Sequence, residues 1–112
     1  KKNREAIQSY SERYRAIEEF LKEEGQAHRC RIFPIDTVEG GADTMEELDA
    51  LVVSDEITVV ENAFRINELR WKNGLPRFHI IVVPRVRTSD GRPLSSSRLR
   101  AGEIFAEREL IY

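Results

Sequence analysis

The sequence predicts an α/β fold: a parallel sheet with helices on both faces. Two short runs, Asp49–Ser54 ("DALVVS") and Phe78–Val86 ("FHIIVVPRV"), have the near-continuous apolar form of strands covered on both sides. Between them, Thr58–Asn73 is long enough for a helix and repeats apolar residues at helical spacing. Strands that alternate with helices of about ten residues or more pair in parallel, because the helix is the crossover between them.

Composition bounds the rest. A chain of 112 residues, 40% hydrophobic and 34% charged, is one soluble globular domain at most. The longest apolar run, Ile80–Pro84, is far too short to cross a bilayer, so no membrane partner is expected. A net charge of −2 produces no large positive field, which argues against a nucleic-acid partner. The single cysteine, Cys30, excludes an internal disulfide and a cysteine metal cage and suits a reducing, cytoplasmic location. The chain opens at Lys1-Lys2-Asn3-Arg4 with neither an initiator methionine nor a signal-peptide pattern, so further residues are expected before Lys1.

Each element has its own reason. Ser9 lies three residues before Glu12, the spacing of a capping box, and Tyr10, Tyr14, Ile17 and Leu21 follow on one helical face up to Gly25. Cys30–Ile35 ("CRIFPI") reads as a strand with Pro34 at its end or edge. Asp36–Asp43 holds Gly40-Gly41 and no periodicity, hence a loop, and Thr44–Leu48 reads as a helical turn. After the strand at 49–54, Val59, Ala63, Ile66, Leu69 and Trp71 give the long helix its apolar side, and Gly74 ends it before Pro76. The third strand, 78–86, runs into a turn-rich loop, Thr88–Pro93, containing Asp90-Gly91. A last helix is expected from about Ser97 to Arg108.

The chemistry concentrates in "GRPLSSSRLRAGEI", residues 91–104. The first amides of a helix have no intrahelical partner, and small residues there let an anion approach the backbone. Ser95, Ser96 and Ser97 would offer amides and hydroxyls, and Arg98 and Arg100 would add guanidinium forks that match phosphate oxygens. The plainer reading is a serine turn that caps a helix. In open parallel sheets ligands bind beyond the carboxyl ends of the strands, which places Ser54 and the loop before the serine run at the functional edge. His79 is expected to be a packed, hydrogen-bonded strand residue, Cys30 a small core residue, and Trp71 and Phe78 core rather than base-stacking groups.

"PLSSSRLRAGEI" resembles the I-S-S-T-x-x-R signature of the nucleotidyltransferase superfamily, with Leu94, Ser95, Ser96, Ser97 and Arg100 at the matching positions. Four blocks in order, "LDALVVS", "INELRWKNGLP", "IIVVP" and "DGRPLSSSRLRAGEI", together with "SYSERYRAIEEFL" upstream, are similar to the archaeal and eukaryotic-type phosphopantetheine adenylyltransferases. The resemblance covers nearly the whole chain and implies a Rossmann-like sheet of order 3-2-1-4-5. The family's first-strand T-x-F-D-x-x-H-x-G-H motif is absent, so the N-terminal strands are expected to be missing from this chain. Residues 1–112 would then be the C-terminal portion of a single nucleotidyltransferase domain, inactive alone, its strands split by a gap in the sheet. The family's S-x-E-T segment is altered here to Ser54-Asp55-Glu56-Ile57-Thr58.

What the resemblance implies about function is specific. It implies transfer of the adenylyl group of ATP to 4′-phosphopantetheine, giving dephospho-coenzyme A and pyrophosphate, with magnesium held by the nucleotide phosphates rather than by a protein cage. Ser95, Ser96, Ser97 and Arg98 would hold the ATP phosphates, and Arg100 would both bind them and act in catalysis. Lys1 or Lys2 would bridge the two substrates' phosphates, Ser54, Asn67 and Arg70 would line the nucleotide side, and Arg13 matches an arginine of the Y-x-x-R block. Asn67, a poor residue for a helix interior, supports a contact role. Two alternatives remain: another phosphate acceptor, such as nicotinamide or flavin mononucleotide, and a non-catalytic nucleotide-binding module. The partners in each case are small molecules, and an oligomer stays open.

Overall fold

The computed structural model describes residues 7–104 and 106–112, and the chain divides into two compact units. One takes the chain up to Pro34 together with Ser95–Ile104; the other is built on Ile35–Leu94 and includes the C-terminal stretch.

The second unit is a parallel β-α-β crossover. Strand β1 (Ala50–Ser54) pairs with β2 (His79–Val83) in parallel, with Ala50 opposite His79 and Ser54 opposite Val83. Helix α2 (Ile57–Lys72) connects them and ends at Asn73, before Gly74 at φ 78°. A positive φ there suits a residue without Cβ, which is how a helix turns back into a strand within a few residues. The two strands and α2 thus follow the alternation in the sequence, as does the α/β class.

The core of this unit is small: Ala42, Ile66 and Phe78 are buried, with Leu48, Leu51 and Ile80 packed against them. The buried face of α2 carries Ala63, Ile66, Asn67 and Arg70, at helical spacing, so half of its inward stripe is polar. Asn67 uses both ends of its amide on one strand residue: Nδ2 donates to the Phe78 carbonyl at 2.9 Å, and Oδ1 accepts from the Phe78 N–H at 2.8 Å. Arg70, 0% exposed, donates from Nε to the Pro76 carbonyl at 2.9 Å and from Nη1 to the carbonyls of Ala42 and Met45. Its guanidinium also lies 5.4 Å from the Phe78 ring centroid.

Several expectations are corrected. Residues 30–35 form no strand; after a 3-10 turn (Ala27–Arg29) the stretch runs without a ladder, because Pro34 has no N–H to give and no strand of the described residues lies alongside. The helical turn expected at 44–48 is displaced to a turn at 40–44, where Gly40 and Gly41 supply the positive φ angles. Within this unit α2 packs on the β1–β2 sheet, and Val52 and Ile81, opposite each other in register, are 61% and 48% exposed. Trp71 is 60% exposed, under the Arg77 guanidinium at 4.5 Å, whereas Phe78 is buried as expected. His79 is exposed, and so is Cys30, because neither has a packed layer over it in its unit. Two short strands that the sequence reading did not contain, β3 (Arg87–Thr88) and β4 (Leu110–Ile111), pair antiparallel.

The first unit holds helix α1 (Tyr10–Glu23), whose N-cap is Ser9, its hydroxyl accepting from the Glu12 N–H at 3.2 Å. It also holds helix α3 (Ser96–Arg100), five residues against the twelve expected from 97 to 108. Ala101 caps α3, and Gly102 at φ 92° turns the chain out, so the sequence Ala-Gly acts as a stop.

The Asn67 clamp yields a stability prediction. Asn67→Ala leaves a buried N–H and a buried carbonyl of Phe78 without partners and should cost about 2–4 kcal/mol, read as a lower denaturant midpoint. A loss under about 0.5 kcal/mol would place those groups in solvent instead.

Candidate functional site

The serine run enters α3 with each hydroxyl in a different setting. Ser95 is the N-cap: extended at φ −144° and ψ 157°, it accepts the Arg98 N–H on its Oγ at 3.2 Å. Ser97 Oγ accepts from Arg100 Nη2 at 3.4 Å. Ser96 faces a cavity of about 800 Å³ in the first unit, together with Arg13 and Arg100. Being in the first turn, the Ser96 and Ser97 amides have no intrahelical acceptor.

The two arginines of α3 differ in their company. Arg98 makes a two-pronged pair with Glu103, Nε to Oε2 at 3.1 Å and Nη2 to Oε1 at 3.2 Å, and its side chain is 12% exposed. Arg100 has no carboxylate against it among the described residues, and its Nε is buried without a hydrogen-bond partner. A guanidinium already forked by a carboxylate has less to give an incoming phosphate.

In the second unit Ser54 ends β1, half-buried, its Oγ accepting from the Glu56 N–H at 3.4 Å. Beside it Asp55 collects two arginines from beyond β2: Arg85 Nε at 2.7 Å and Arg87 Nη2 at 3.4 Å. The Arg85 hydrogen bond holds the Asp55 carboxyl below its ordinary pKa. Sequence reasoning missed this network; the signal was an acid directly after a strand end and two arginines directly after the next strand. Asn67 and Arg70, expected to line the nucleotide, are instead turned into the interior of this unit, where backbone carbonyls and the Phe78 amide occupy them. Lys1 and Lys2 lie outside the described residues.

The turn ahead of the serine run is also fixed electrostatically. Asp90 accepts from the Thr88 hydroxyl, from the Arg92 N–H at 3.0 Å and from Arg92 Nε at 2.7 Å. The Thr88 hydrogen bond, with the Arg92 contacts behind it, holds the Asp90 carboxyl far below the usual carboxylate range. Among the described residues no three of His, Cys, Asp and Glu gather as a metal site, and no helix is long and apolar enough to cross a membrane.

This parallel crossover is consistent with part of a Rossmann-like nucleotidyltransferase fold. The chain is homologous to archaeal phosphopantetheine adenylyltransferases over most of its length. It is 43% identical to the phosphopantetheine adenylyltransferase of Methanopyrus kandleri over 101 residues, 90% of this chain and 62% of that protein. It is 35% identical to the one from Thermococcus kodakarensis over 100 residues, 89% of this chain and 59% of that protein. With the bifunctional phosphopantetheine adenylyltransferase/NTP phosphatase of Thermoplasma volcanium it shares 39% over 95 residues, 85% of this chain and 28% of that protein. The chain thus spans about three-fifths of the length of the first and second of these relatives. No family model and no solved structure matches it.

Asp55 and Asp90 predict the acid limb of stability. Both have folded pKa values below the ordinary carboxylate value of about 3.9, so their contribution is complete above that pH and lost as pH falls below it. The denaturant midpoint should be flat from about pH 6 to 4 and drop below that range, and Asp55→Asn or Asp90→Asn should each flatten the drop. An unchanged acid limb in both variants would remove these carboxylates as its origin.

Proposed function

We propose that the protein carrying this chain transfers the adenylyl group of ATP to 4′-phosphopantetheine, forming dephospho-coenzyme A and pyrophosphate. The relatives' names support the reaction. The observation in the molecule that carries it is the arrangement on α3, where Ser96 and the uncompensated Arg100 line one cavity.

The acceptor phosphate is already ionised, so an oxygen of it attacks the α-phosphorus with no general base. The bond from that phosphorus to the oxygen bridging the α- and β-phosphates breaks, and pyrophosphate leaves with the electron pair. The work of the protein is to hold two mutually repelling anions in line and to neutralise the leaving charge. In this reading Ser95, Ser96 and Ser97 hold the phosphate tail at the helix start, Arg100 takes charge that grows on the pyrophosphate, and Lys1 or Lys2 bridges the phosphates. Arg98 contributes less, because Glu103 shares its fork. Ser54 stands at the strand end where ligands of open parallel sheets collect.

The polar residues at the cavity are Arg13, Arg100, Ser96 and Gln8, with no carboxylate among them, a set that suits phosphate oxygens better than a cation. Magnesium would therefore be held by the nucleotide's own phosphates, where it supplies charge neutralisation. A cytoplasmic location belongs to the same reading, supported by the free, exposed Cys30.

Arg100→Ala in the full protein should slow adenylyl transfer by about two to three orders of magnitude, the scale for losing one transition-state charge contact, with the denaturant midpoint barely moved. Titration calorimetry should show binding of 4′-phosphopantetheine and little of nicotinamide mononucleotide. Unchanged turnover removes Arg100 from the mechanism, and the reverse acceptor preference replaces the substrate.

A further inference from the structure

The cavity of the first unit is walled by two matching triplets. Arg13, Ala16 and Ile17 on α1, and Ser96, Leu99 and Arg100 on α3, each occupy positions i, i+3 and i+4, so each helix turns one face inward. Each triplet brings one guanidinium. Neither guanidinium meets a carboxylate among the described residues, whereas Arg98 beside Arg100 is paired with Glu103.

Arg13 is steadied without being neutralised. Its guanidinium carbon lies 5.9 Å from the Tyr10 ring centroid, one turn back on α1, and Tyr10 in turn leans on Tyr14 with centroids 6.0 Å apart. An aromatic ring takes the face of a guanidinium and leaves the N–H edge free to donate. Two such cations at one cavity, lined besides them by Ile7, Ala16, Ile17 and Leu99 and by the neutral polar Gln8 and Ser96, repel one another and attract an anion.

We propose that Arg13 is a second anion-binding residue of this cavity, gripping together with Arg100 an anion that carries at least two phosphate groups. On the adenylyltransferase reading, on which the identity of the ligand rests, that anion is the β,γ end of the nucleotide and the pyrophosphate it becomes. The two-phosphate preference follows from the chemistry of the forks. The guanidiniums come from separate helices that wall one cavity, and each fork wants its own pair of oxygens. A single phosphate satisfies one fork; pyrophosphate satisfies both.

The test is calorimetric titration of the full protein with inorganic pyrophosphate and with orthophosphate, comparing wild type, Arg13→Ala, Arg13→Lys and Arg100→Ala. Arg13→Ala should weaken pyrophosphate about tenfold or more, the scale of a lost charge-assisted contact, and orthophosphate less than about threefold. Arg13→Lys, which keeps the charge but not the fork, should fall between. In the reverse reaction the KM for pyrophosphate should rise with the same variants, while the circular dichroism of the exposed Arg13 variants stays that of wild type. Pyrophosphate bound by Arg13→Ala as by wild type, with Arg100→Ala weakened, would overturn the role of Arg13 and leave the proposed function standing. A wild-type protein that neither binds pyrophosphate nor transfers adenylyl groups would overturn both.

Discussion

The crossover unit depends on a cation that never reaches water. Arg70 is 0% exposed, and its partners are the carbonyls of Pro76, Ala42 and Met45 rather than a carboxylate. One side chain thereby ties α2 to the turn that enters β2 and to the loop that precedes β1. Its Nη2 is buried without a hydrogen-bond partner, a cost partly offset by the Phe78 ring against which the guanidinium packs. One turn earlier, Asn67 fixes the Phe78 backbone from both sides. The start of β2 is thus set by side-chain bonds to the backbone, so a core of only four buried apolar residues among those described, Ala42, Ala63, Ile66 and Phe78, can still hold a definite strand position.

The same accounting of partners separates the arginines by use. Around the ends of β1 and β2 the guanidiniums are drawn onto Asp55, and in the following turn Arg92 is drawn onto Asp90. Those pairs are partly exposed, so solvent screens them and each adds only modestly to stability, while together they fix the local geometry. They brace the stretch that leads from β2 into the serine run. Arg98 and Arg100, two residues apart on α3, fall on opposite sides of this division, one closed by Glu103 and one open. Residue type alone could not draw that line, because both are arginines in a basic, serine-rich context.

What was legible in the sequence follows from how local each cause is. Helix α1 was readable because its cap and its stripe lie within a few residues of each other, and β1, α2 and β2 because a βαβ unit is written as a short apolar run, a long periodic one and a second short run. The stretch 30–35 has strand composition but no ladder in this molecule, and pairing is a non-local property that composition cannot report. Trp71 fits the apolar stripe of α2 by spacing yet lies outside, since the inward stripe turns on Asn67 and Arg70. Those two were singled out because polar groups inside a helix demand a partner; the partner proved to be the protein's own backbone. The antiparallel pair β3–β4 joins residues more than twenty positions apart, and two-residue strands leave no periodic trace.

Shortening α3 from twelve expected residues to five sharpens its chemistry. A five-residue helix has little aligned dipole, so whatever it offers an anion comes from individual N–H and O–H groups close by, not from a macrodipole. The hydroxyls are not equivalent either. Ser95 satisfies the Arg98 amide and Ser97 steadies Arg100, leaving Ser96 as the serine turned to the cavity. A run that reads as three repeated letters is therefore three positions: one closes the helix start, one accepts from a guanidinium, and one lines the cavity. Substituting them one at a time addresses three different physical questions, which a block replacement of the serines would merge.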